Sequence, residues 1–230
     1  MQVMDICIDA EGAFVERKNR FLGIVDIHDK NSKVHVRDPG RLEELLYPGN
    51  RVLLAKAADP NRKTAWDLIA ARYEDEWVLV NSGFHPQIAR WVLENEKIDP
   101  FGITDGWQGE KTLGNSRIDF FTETEVCELW VEVKGCTLAM GGKALFPDAP
   151  TTRGTRHVRE LIKIVEKGHR AGLLILVFRS GAKCFSPYQE RDPDFAASFR
   201  EAVDAGVEVR PICFSYENGG LYYKGRLNVC

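Results

Sequence analysis

Ser116-Arg117-Ile118-Asp119-Phe120 and Glu132-Val133-Lys134 are the two short stretches that decide how this chain folds. Both alternate apolar with polar residues, which is the pattern of a half-buried β-strand. Because successive side chains of a strand point to opposite faces, Glu132 and Lys134 share one face, and Asp119 points away from its two apolar neighbours. Two neighbouring strands can therefore present Asp119, Glu132 and Lys134 together.

The chemistry of these three side chains points to a metal-dependent reaction at phosphate. Asp119 and Glu132 would repel each other unless a divalent cation neutralised them, and carboxylate oxygens suit Mg²⁺, with Mn²⁺ as an alternative. Such a cation polarises a phosphoryl oxygen and lowers the pKa of a bound water. Lys134 would then position or deprotonate that water, or offset charge on the phosphate. The alternative is structural: Asp119 at the surface near a turn, and Glu132 with Lys134 as a solvated charge pair.

The elements predicted around these strands follow the order α-β-β-β-α-β-α-β. They are a helix at 86–97, strands at 107–113, 117–121 and 128–134, a helix at 155–167, a central strand at 173–178, a helix from 192 to 206 and a strand from 207. A Gly114-Asn115-Ser116 turn joins the first two strands, and residues 146–154 are predicted as a loop. This order and the Asp…Glu-x-Lys spacing match the mixed-sheet domain of the restriction-endonuclease-like, or PD-(D/E)XK, nuclease fold.

The first 85 residues show a different pattern of predicted secondary structure, in which short strands are separated by turns. Strands are predicted at 3–8, 21–27, 33–37, 50–57, 64–72 and 77–80. Asp38-Pro39-Gly40 marks a turn, and 41–46 is predicted as one or two helical turns. This outline is typical of an OB-like β-barrel. The fold class is therefore α+β to α/β, with an OB-like domain at 1–85 and a nuclease-like domain at 86–230.

Further candidates surround the predicted centre. Glu94 and Glu110 are rivals for an additional acidic ligand, although solvated charges are an equally good interpretation. His157 borders the apolar stripe of helix 155–167 and is an accessory catalytic candidate, or else a packed or capping histidine. The predicted DNA contacts are the basic residues of both domains, namely Arg17, Arg20, Arg41, Arg62, Lys63, Arg117, Arg153 and Arg156.

Trp66 lies close to Arg62 and Lys63, and interleaved aromatic and basic residues on a barrel face bind single strands by stacking and phosphate contacts. Solvated charges beside a core tryptophan are the alternative interpretation of that cluster.

Composition excludes several classes of protein. The 230 residues include 31 Lys+Arg and 34 Asp+Glu, a formal net charge of −3, so any nucleic-acid surface must be local. The six cysteines contain no C-x-x-C pair, which argues against a zinc ribbon and a dense disulfide framework. No apolar run approaches the ~18 residues of a membrane span. We expect a soluble, cytoplasmic protein in a compartment that keeps its cysteines reduced.

Longer stretches resemble the sugar fermentation stimulation protein family. They are Asp38-Pro39-Gly40-Arg41-Leu42-Glu43-Glu44-Leu45-Leu46-Tyr47-Pro48-Gly49, Arg62-Lys63-Thr64, Ser116 to Phe120, Glu132 to Lys134, Leu145 to Thr151 with Arg153-Gly154, and His157 to Leu161. The resemblance implies an OB-like domain, a nuclease-like domain, and DNA binding linked to sugar (maltose) metabolism.

Two main functions follow from these expectations. The first is a DNA-binding protein with a Mg²⁺-dependent phosphodiesterase centre formed by Asp119, Glu132 and Lys134. The second is a regulator that binds DNA without cleaving it. A small-molecule or RNA-processing role is a third, weaker alternative, because a fold does not determine its function. DNA is the predicted partner, a second copy of the chain is a further candidate, and no membrane partner is expected.

Overall fold

The computed structural model describes residues 1–59, 61–113 and 116–230. The predicted turn Gly114-Asn115-Ser116 therefore lies outside the described residues at its first two positions, and Ser116 begins a strand.

The first part of the chain forms a closed five-stranded barrel, which confirms the predicted OB-like fold. The strands of this part are β1 (Gln2–Asp5), β2 (Ala10–Asn19), β3 (Leu22–Ile27), β4 (Lys30–His35), β5 (Arg51–Lys56), β6 (Trp66–Tyr73) and β7 (Glu76–Leu79). In the barrel the order is β4-β3-β2-β5-β6, and a parallel pairing of β4 with β6 closes it. A closed barrel leaves no free sheet edge.

In this half one strand was missed, and the one or two helical turns predicted at 41–46 are reduced to one. Strand β2 was not predicted, because Gly12 interrupts its alternation; a Cβ there would lie 2.5 Å from the Asp26 carbonyl oxygen, so close strand packing requires glycine. The predicted helix at 41–46 is a single turn, in which the Leu46 amide donates to the Leu42 carbonyl at 2.7 Å. Leu42 itself has a φ of 53°, which no helix can accommodate.

The second part of the chain contains a mixed sheet with helices on both faces. Its elements are α1 (His85–Leu93), β8 (Gln108–Leu113), β9 (Ser116–Glu123), β10 (Glu128–Cys136), β11 (Leu138–Met140), β12 (Lys143–Phe146), α2 (Thr152–Glu166), β13 (Arg170–Val177), β14 (Cys184–Pro187), α3 (Pro193–Ala205), β15 (Glu208–Glu217), β16 (Gly220–Arg226) and β17 (Asn228–Val229). The order in the main sheet is β15-β13-β10-β9-β8, with β10, β13 and β15 parallel. The predicted mixed sheet is confirmed.

Strand β13 lies at the centre, as its continuous apolar run predicts. Leu174 and Leu176 pack into the core that includes α1 and the barrel, whereas Leu173 and Ile175 pack into the core formed with α2 and α3. A parallel strand covered by helices on both faces needs apolar residues at every position. The helix predicted at 155–167 begins earlier, at Thr152, where Thr151 accepts from the Gly154 amide.

The two parts share one extended sheet. Strand β7 pairs with β15, and β1 pairs with β16, so both ends of the barrel segment are joined to the second sheet. A smaller sheet, β11-β12-β14-β17, lies apart from the main one, and its four short strands were not predicted. The domain boundary between residues 85 and 86 stays a prediction.

One disulfide occurs among the described cysteines, joining Cys184 to Cys230 across 46 residues. It connects β14 to the residue after β17, and Cys7, Cys127, Cys136 and Cys213 are free. The cysteine spacing argued against a dense disulfide framework, and one bridge does not form such a framework. No helix of the described residues is long and apolar enough to cross a membrane.

Candidate active site

A cavity of about 740 Å³ lies between the barrel and the second sheet. The barrel contributes Arg20 and the loop 38–40, Ser82 lies just before α1, and α1 contributes His85, Pro86, Gln87 and Arg90. The remaining wall comes from Gly109, Glu110, Asp119, Phe120, the strand residues 132–138, and the loop 145–151 with Arg153 and Gly154. The predicted Asp119, Glu132 and Lys134 therefore face one shared space.

Asp119 lies where strands β9 and β10 stop pairing. The last paired residues are Phe120 and Val131, and beyond them the Val133 amide donates to Asp119 Oδ2 at 2.8 Å. Burial, and then the neighbouring Glu132 carboxylate, raise the pKa of Asp119 to about 6. The two acids thus lie close enough to repel each other, as their strand positions predicted.

Glu132 is the most deeply buried acid of this group, at 2% exposure. Its Oε1 accepts from the Lys134 ammonium and lies 2.5 Å from His157 Nδ1. Burial favours the neutral acid, but the charge of Lys134 and the hydrogen bonds from His157 and Lys134 outweigh burial and lower the pKa of Glu132. Its other oxygen, Oε2, is buried and has no hydrogen-bond partner. A carboxylate oxygen buried in this way needs a cation or a donor to satisfy it.

His157 acts on Glu132 rather than on the cavity. The residue is 2% exposed, and its Nε2 accepts from Arg153 Nε at 3.4 Å. A neutral ring with its proton on Nδ1 satisfies both contacts, since Nδ1 then donates to Glu132 while Nε2 accepts from Arg153. These contacts hold the Glu132 carboxylate in place, and the expected catalytic role of His157 stays a prediction.

The donor set of this site fits a hard divalent cation with few protein ligands. Among the residues that the structure describes, no group of three or more His, Cys, Asp or Glu side chains is arranged to hold a metal ion. Within the described part of the chain, Asp119 and Glu132 would therefore supply the carboxylate ligands, with water or substrate oxygens completing the coordination. Mg²⁺ is commonly bound in this way, through one or two carboxylates.

The two candidates for an additional acidic ligand, Glu94 and Glu110, do not join Asp119 and Glu132. Glu94 follows α1 and accepts from Arg90 Nη1 at 2.6 Å, with its side chain 45% exposed. Glu110 lines the cavity, but its carboxylate lies 3.4 Å from Arg117 and is 67% exposed. Their pairing with arginines accounts for both acids as surface charges.

The predicted DNA contacts divide into three groups. Arg17 donates to the carbonyls of Arg20, Asp38, Gly40 and Arg41 at 2.6–2.8 Å, and Arg62 makes two 2.8 Å bonds to Asp67. These two guanidinium groups hold the barrel together and have few donors left for phosphate. Arg20 and Arg153 line the cavity. The exposed residues Arg41, Lys63, Arg117 and Arg156 lie outside the cavity lining.

Sequence reasoning missed His85 as a cavity residue. Its ring stacks on Phe178 at a centroid distance of 5.3 Å and covers Gly135, where a Cβ would lie 2.1 Å from its Cε1. Burial, and then the charge of Lys134, lower the pKa of His85 to about 4. No local pattern identifies this residue, because it lies at the start of α1 and its partners come from distant strands.

Sequence reasoning also missed the bridge that closes one side of the cavity. The Leu42 amide of the barrel donates to Asp148 Oδ2 at 3.0 Å, across 106 residues. The Asp148 carboxylate also packs against Gly40, where a Cβ would lie 2.5 Å from Oδ2. Both residues occur in the stretches that carry the family resemblance, which was the available signal.

We expect Gly135→Ala to lower the free energy of unfolding by about 1–3 kcal/mol, because its methyl group overlaps the His85 ring and the tightly packed site must shift. Thermal denaturation measures this loss. Gly181→Ala is the matched control, since a Cβ there meets nothing within 4 Å, and its effect should stay within about 0.5 kcal/mol. Equal melting temperatures for the two variants would contradict the described packing of His85.

Two known families match adjoining parts of the chain. The family described as SfsA N-terminal OB domain matches residues 15–80. The family described as sugar fermentation stimulation protein RE domain matches residues 83–220. The two matches correspond to the barrel and to the mixed sheet with its helices.

Similar proteins carry the same description. A sugar fermentation stimulation protein homolog of Methanococcoides burtonii is 51% identical over 99% of this chain and 95% of its own length. A homolog of Thermotoga neapolitana is 45% identical over 99% of this chain and 98% of its own. A solved structure of Pyrococcus furiosus SfsA in complex with Ca²⁺ superposes with a TM-score of 0.91 at 29% identity, covering 100% of this chain and 99% of that one.

Proposed function

This chain belongs to the sugar fermentation stimulation protein family, and we propose that it binds DNA in the interdomain cavity and hydrolyses phosphodiester bonds there with a divalent cation. Asp119 and Glu132 hold the cation, which is Mg²⁺ with Mn²⁺ as a substitute. Lys134 is the third member of the centre.

The observation that carries this proposal is the buried, unpartnered Oε2 of Glu132 beside Asp119. Lys134 and His157 contact only the other oxygen of Glu132. An unsatisfied buried acceptor costs about 1–3 kcal/mol, and a cation held between Glu132 and Asp119 would satisfy this oxygen. The Ca²⁺ bound by the similar Pyrococcus furiosus protein supports a cation site in this fold.

Each residue of the centre then has a definable task. A bound cation would polarise a phosphoryl oxygen and lower the pKa of a coordinated water. Lys134, whose side chain is 14% exposed, keeps a positive charge beside the charge that develops on the phosphate. His157 and Lys134 together fix the orientation of the Glu132 carboxylate, and the Val133 amide fixes that of Asp119.

Positive charge on the cavity wall supports a phosphate-containing ligand. Arg20, Arg90 and Arg153 line the cavity from three different elements. Arg90 is paired with Glu94, which balances part of this charge, whereas Arg153 donates to the neutral His157 and keeps its charge. Such a partly neutralised wall suits a ligand with few phosphate contacts, and binding should weaken only moderately with salt.

The second candidate is a regulator that binds DNA without cleaving it. The observation in its favour is the ion pair of Lys134 with Glu132, which keeps the ammonium occupied. The described residues also supply no third carboxylate to the pair. In this case the acids would bind a cation that only stabilises the site.

Labelled single- and double-stranded DNA incubated with the full chain in Mg²⁺, Mn²⁺ and EDTA tests both candidates. Asp119→Asn is the control for contaminating nucleases, because its side-chain oxygen can still accept from the Val133 amide while the negative charge is lost. We expect cleavage with either metal, and none in EDTA or with Asp119→Asn.

Retention of DNA without cleavage under both metals would support the regulator instead. If the chain neither retains nor cleaves DNA, both proposals are wrong. Cleavage by Asp119→Asn at the rate of the unmodified protein would exclude Asp119 from the reaction.

A further inference from the structure

The turn between β2 and β3 holds an exposed aromatic side chain beside an arginine that lines the cavity. Phe21 is 50% exposed, and its ring lies 5.8 Å from the Arg20 guanidinium carbon. The Arg20 side chain lines the cavity and donates to the Pro39 carbonyl at 3.2 Å. Arg20 therefore connects the Phe21 ring to the cavity wall.

The position of this ring is set by the surrounding backbone. Arg17 donates simultaneously to the Arg20 carbonyl and to the loop 38–41, so the turn and the loop are held together. The Val36 amide donates to the Phe21 carbonyl at 3.0 Å, which ties the turn to the end of β4. His35 adds a second ring, with its centroid 6.5 Å from that of Phe21. The ring is thus presented on a rigid support.

We propose that Phe21 is a stacking platform for a base of single-stranded DNA whose backbone enters the interdomain cavity. The inference rests on the proposed function and adds the strand state of the substrate. An exposed ring flanked by a guanidinium provides both contacts that a nucleotide needs, since the base stacks on the ring and the arginine meets the adjacent phosphate. Bases in a duplex are stacked on each other and cannot present a face to Phe21.

The test is the affinity of the full chain for a fluorescent 12-nucleotide oligothymidylate, for the same length of duplex, and for a single strand of abasic sites, each in EDTA and in Ca²⁺. Phe21→Ala is compared with Tyr47→Ala, because Tyr47 is an equally exposed aromatic, at 49%, whereas Phe21 lies next to the cavity-lining Arg20. Phe21→Trp is the conservative variant.

We expect Phe21→Ala to weaken binding of the oligothymidylate by roughly 5- to 150-fold, the effect of losing one base–aromatic stack. Tyr47→Ala and Phe21→Trp should bind like the unmodified chain. With the abasic strand, Phe21→Ala should also match the unmodified chain, because no base remains to stack. A general disturbance of the turn would instead weaken binding of both strands.

Failure of the inference differs from failure of the proposed function. If the unmodified chain binds oligothymidylate and Phe21→Ala binds it equally well, or loses affinity equally for the abasic strand, the stacking role is wrong and the proposed function stands. Preference of the unmodified chain for duplex would also overturn the inference. If the unmodified chain binds neither DNA form, the proposed function fails and the inference fails with it.

Discussion

Glu132→Gln is expected to reduce the affinity for Mn²⁺ by about 100-fold or more, exceeding the ~10–100-fold cost of losing a residue that merely supports a ligand. The reason lies in the two oxygens of Glu132. Lys134 and His157 both contact Oε1, so the amide oxygen of the variant takes that position. The amide NH₂ then occupies the place of Oε2 and points its hydrogens at the cation.

Calorimetric titration with Mn²⁺ measures this effect. The matched control is Glu128→Gln, the same substitution on the same strand, where the carboxylate accepts from Trp130 Nε1 at 2.9 Å and lies outside the cavity lining. It should leave Mn²⁺ affinity unchanged. The candidate metal site would be refuted by a Glu132→Gln variant that keeps its fold by circular dichroism and binds Mn²⁺ like the unmodified chain.

Asp38→Asn is expected to stabilise the chain at pH 8 by about 2 kcal/mol, or roughly 4–8 °C in melting temperature, and by less than half as much at pH 5. Burial is the main cause that raises the pKa of Asp38 to about 7, and Asp148 adds to it. The shift from the ordinary 3.8 corresponds to at most ~4 kcal/mol, and this figure is reduced because the side chain is half-buried rather than fully buried.

The sign follows from proton binding. Between pH 4 and 7 the folded chain holds a proton on Asp38 that the unfolded chain has released, so the stability contributed by the neutral acid is lost as the pH rises. Asparagine stays neutral at every pH, and its side-chain oxygen can still accept from the Gly40 amide, which Asp38 binds at 2.7 Å. The advantage of the variant therefore grows from pH 5 to pH 8.

Thermal melting at several pH values tests this prediction, with Asp59→Asn as the matched control. Asp59 accepts from the amide two residues ahead, at 2.9 Å, as Asp38 does, but it is exposed. Replacing Asp59 by asparagine should not change how the melting temperature depends on pH. If the melting temperatures of Asp38→Asn and of the unmodified chain differ by the same amount at pH 5 and pH 8, ionisation of Asp38 does not destabilise the folded chain.

Local patterns were sufficient for the main elements around the site. Alternation placed Asp119 on one strand and Glu132 with Lys134 on another, and the apolar run at 173–178 identified the central strand. The helical spacing of Val158 and Leu161 predicted α2, whose start was missed by three residues. These features depend on near neighbours in sequence, which is why periodicity detects them.

The assembly of the site depends on contacts that periodicity does not encode. His157 was predicted beside an apolar stripe, yet its contact with Glu132 spans 25 residues and requires α2 to pack against β10. Arg17 and Arg62 were predicted to meet phosphate, but carbonyls and Asp67 occupy most of their donors. Charge in a sequence does not reveal which partner the folded chain will supply.

The sequence by itself determined the two domain types, the sheet that carries Asp119, Glu132 and Lys134, and the relative facing of these residues, because strand and helix periods are local. Only the tertiary structure decided which oxygen of Glu132 is left without a partner. It also decided that His85 covers Gly135 and that Asp148 bridges to the barrel. These features arise from elements far apart in the chain, and their geometry exists only once both cores have packed.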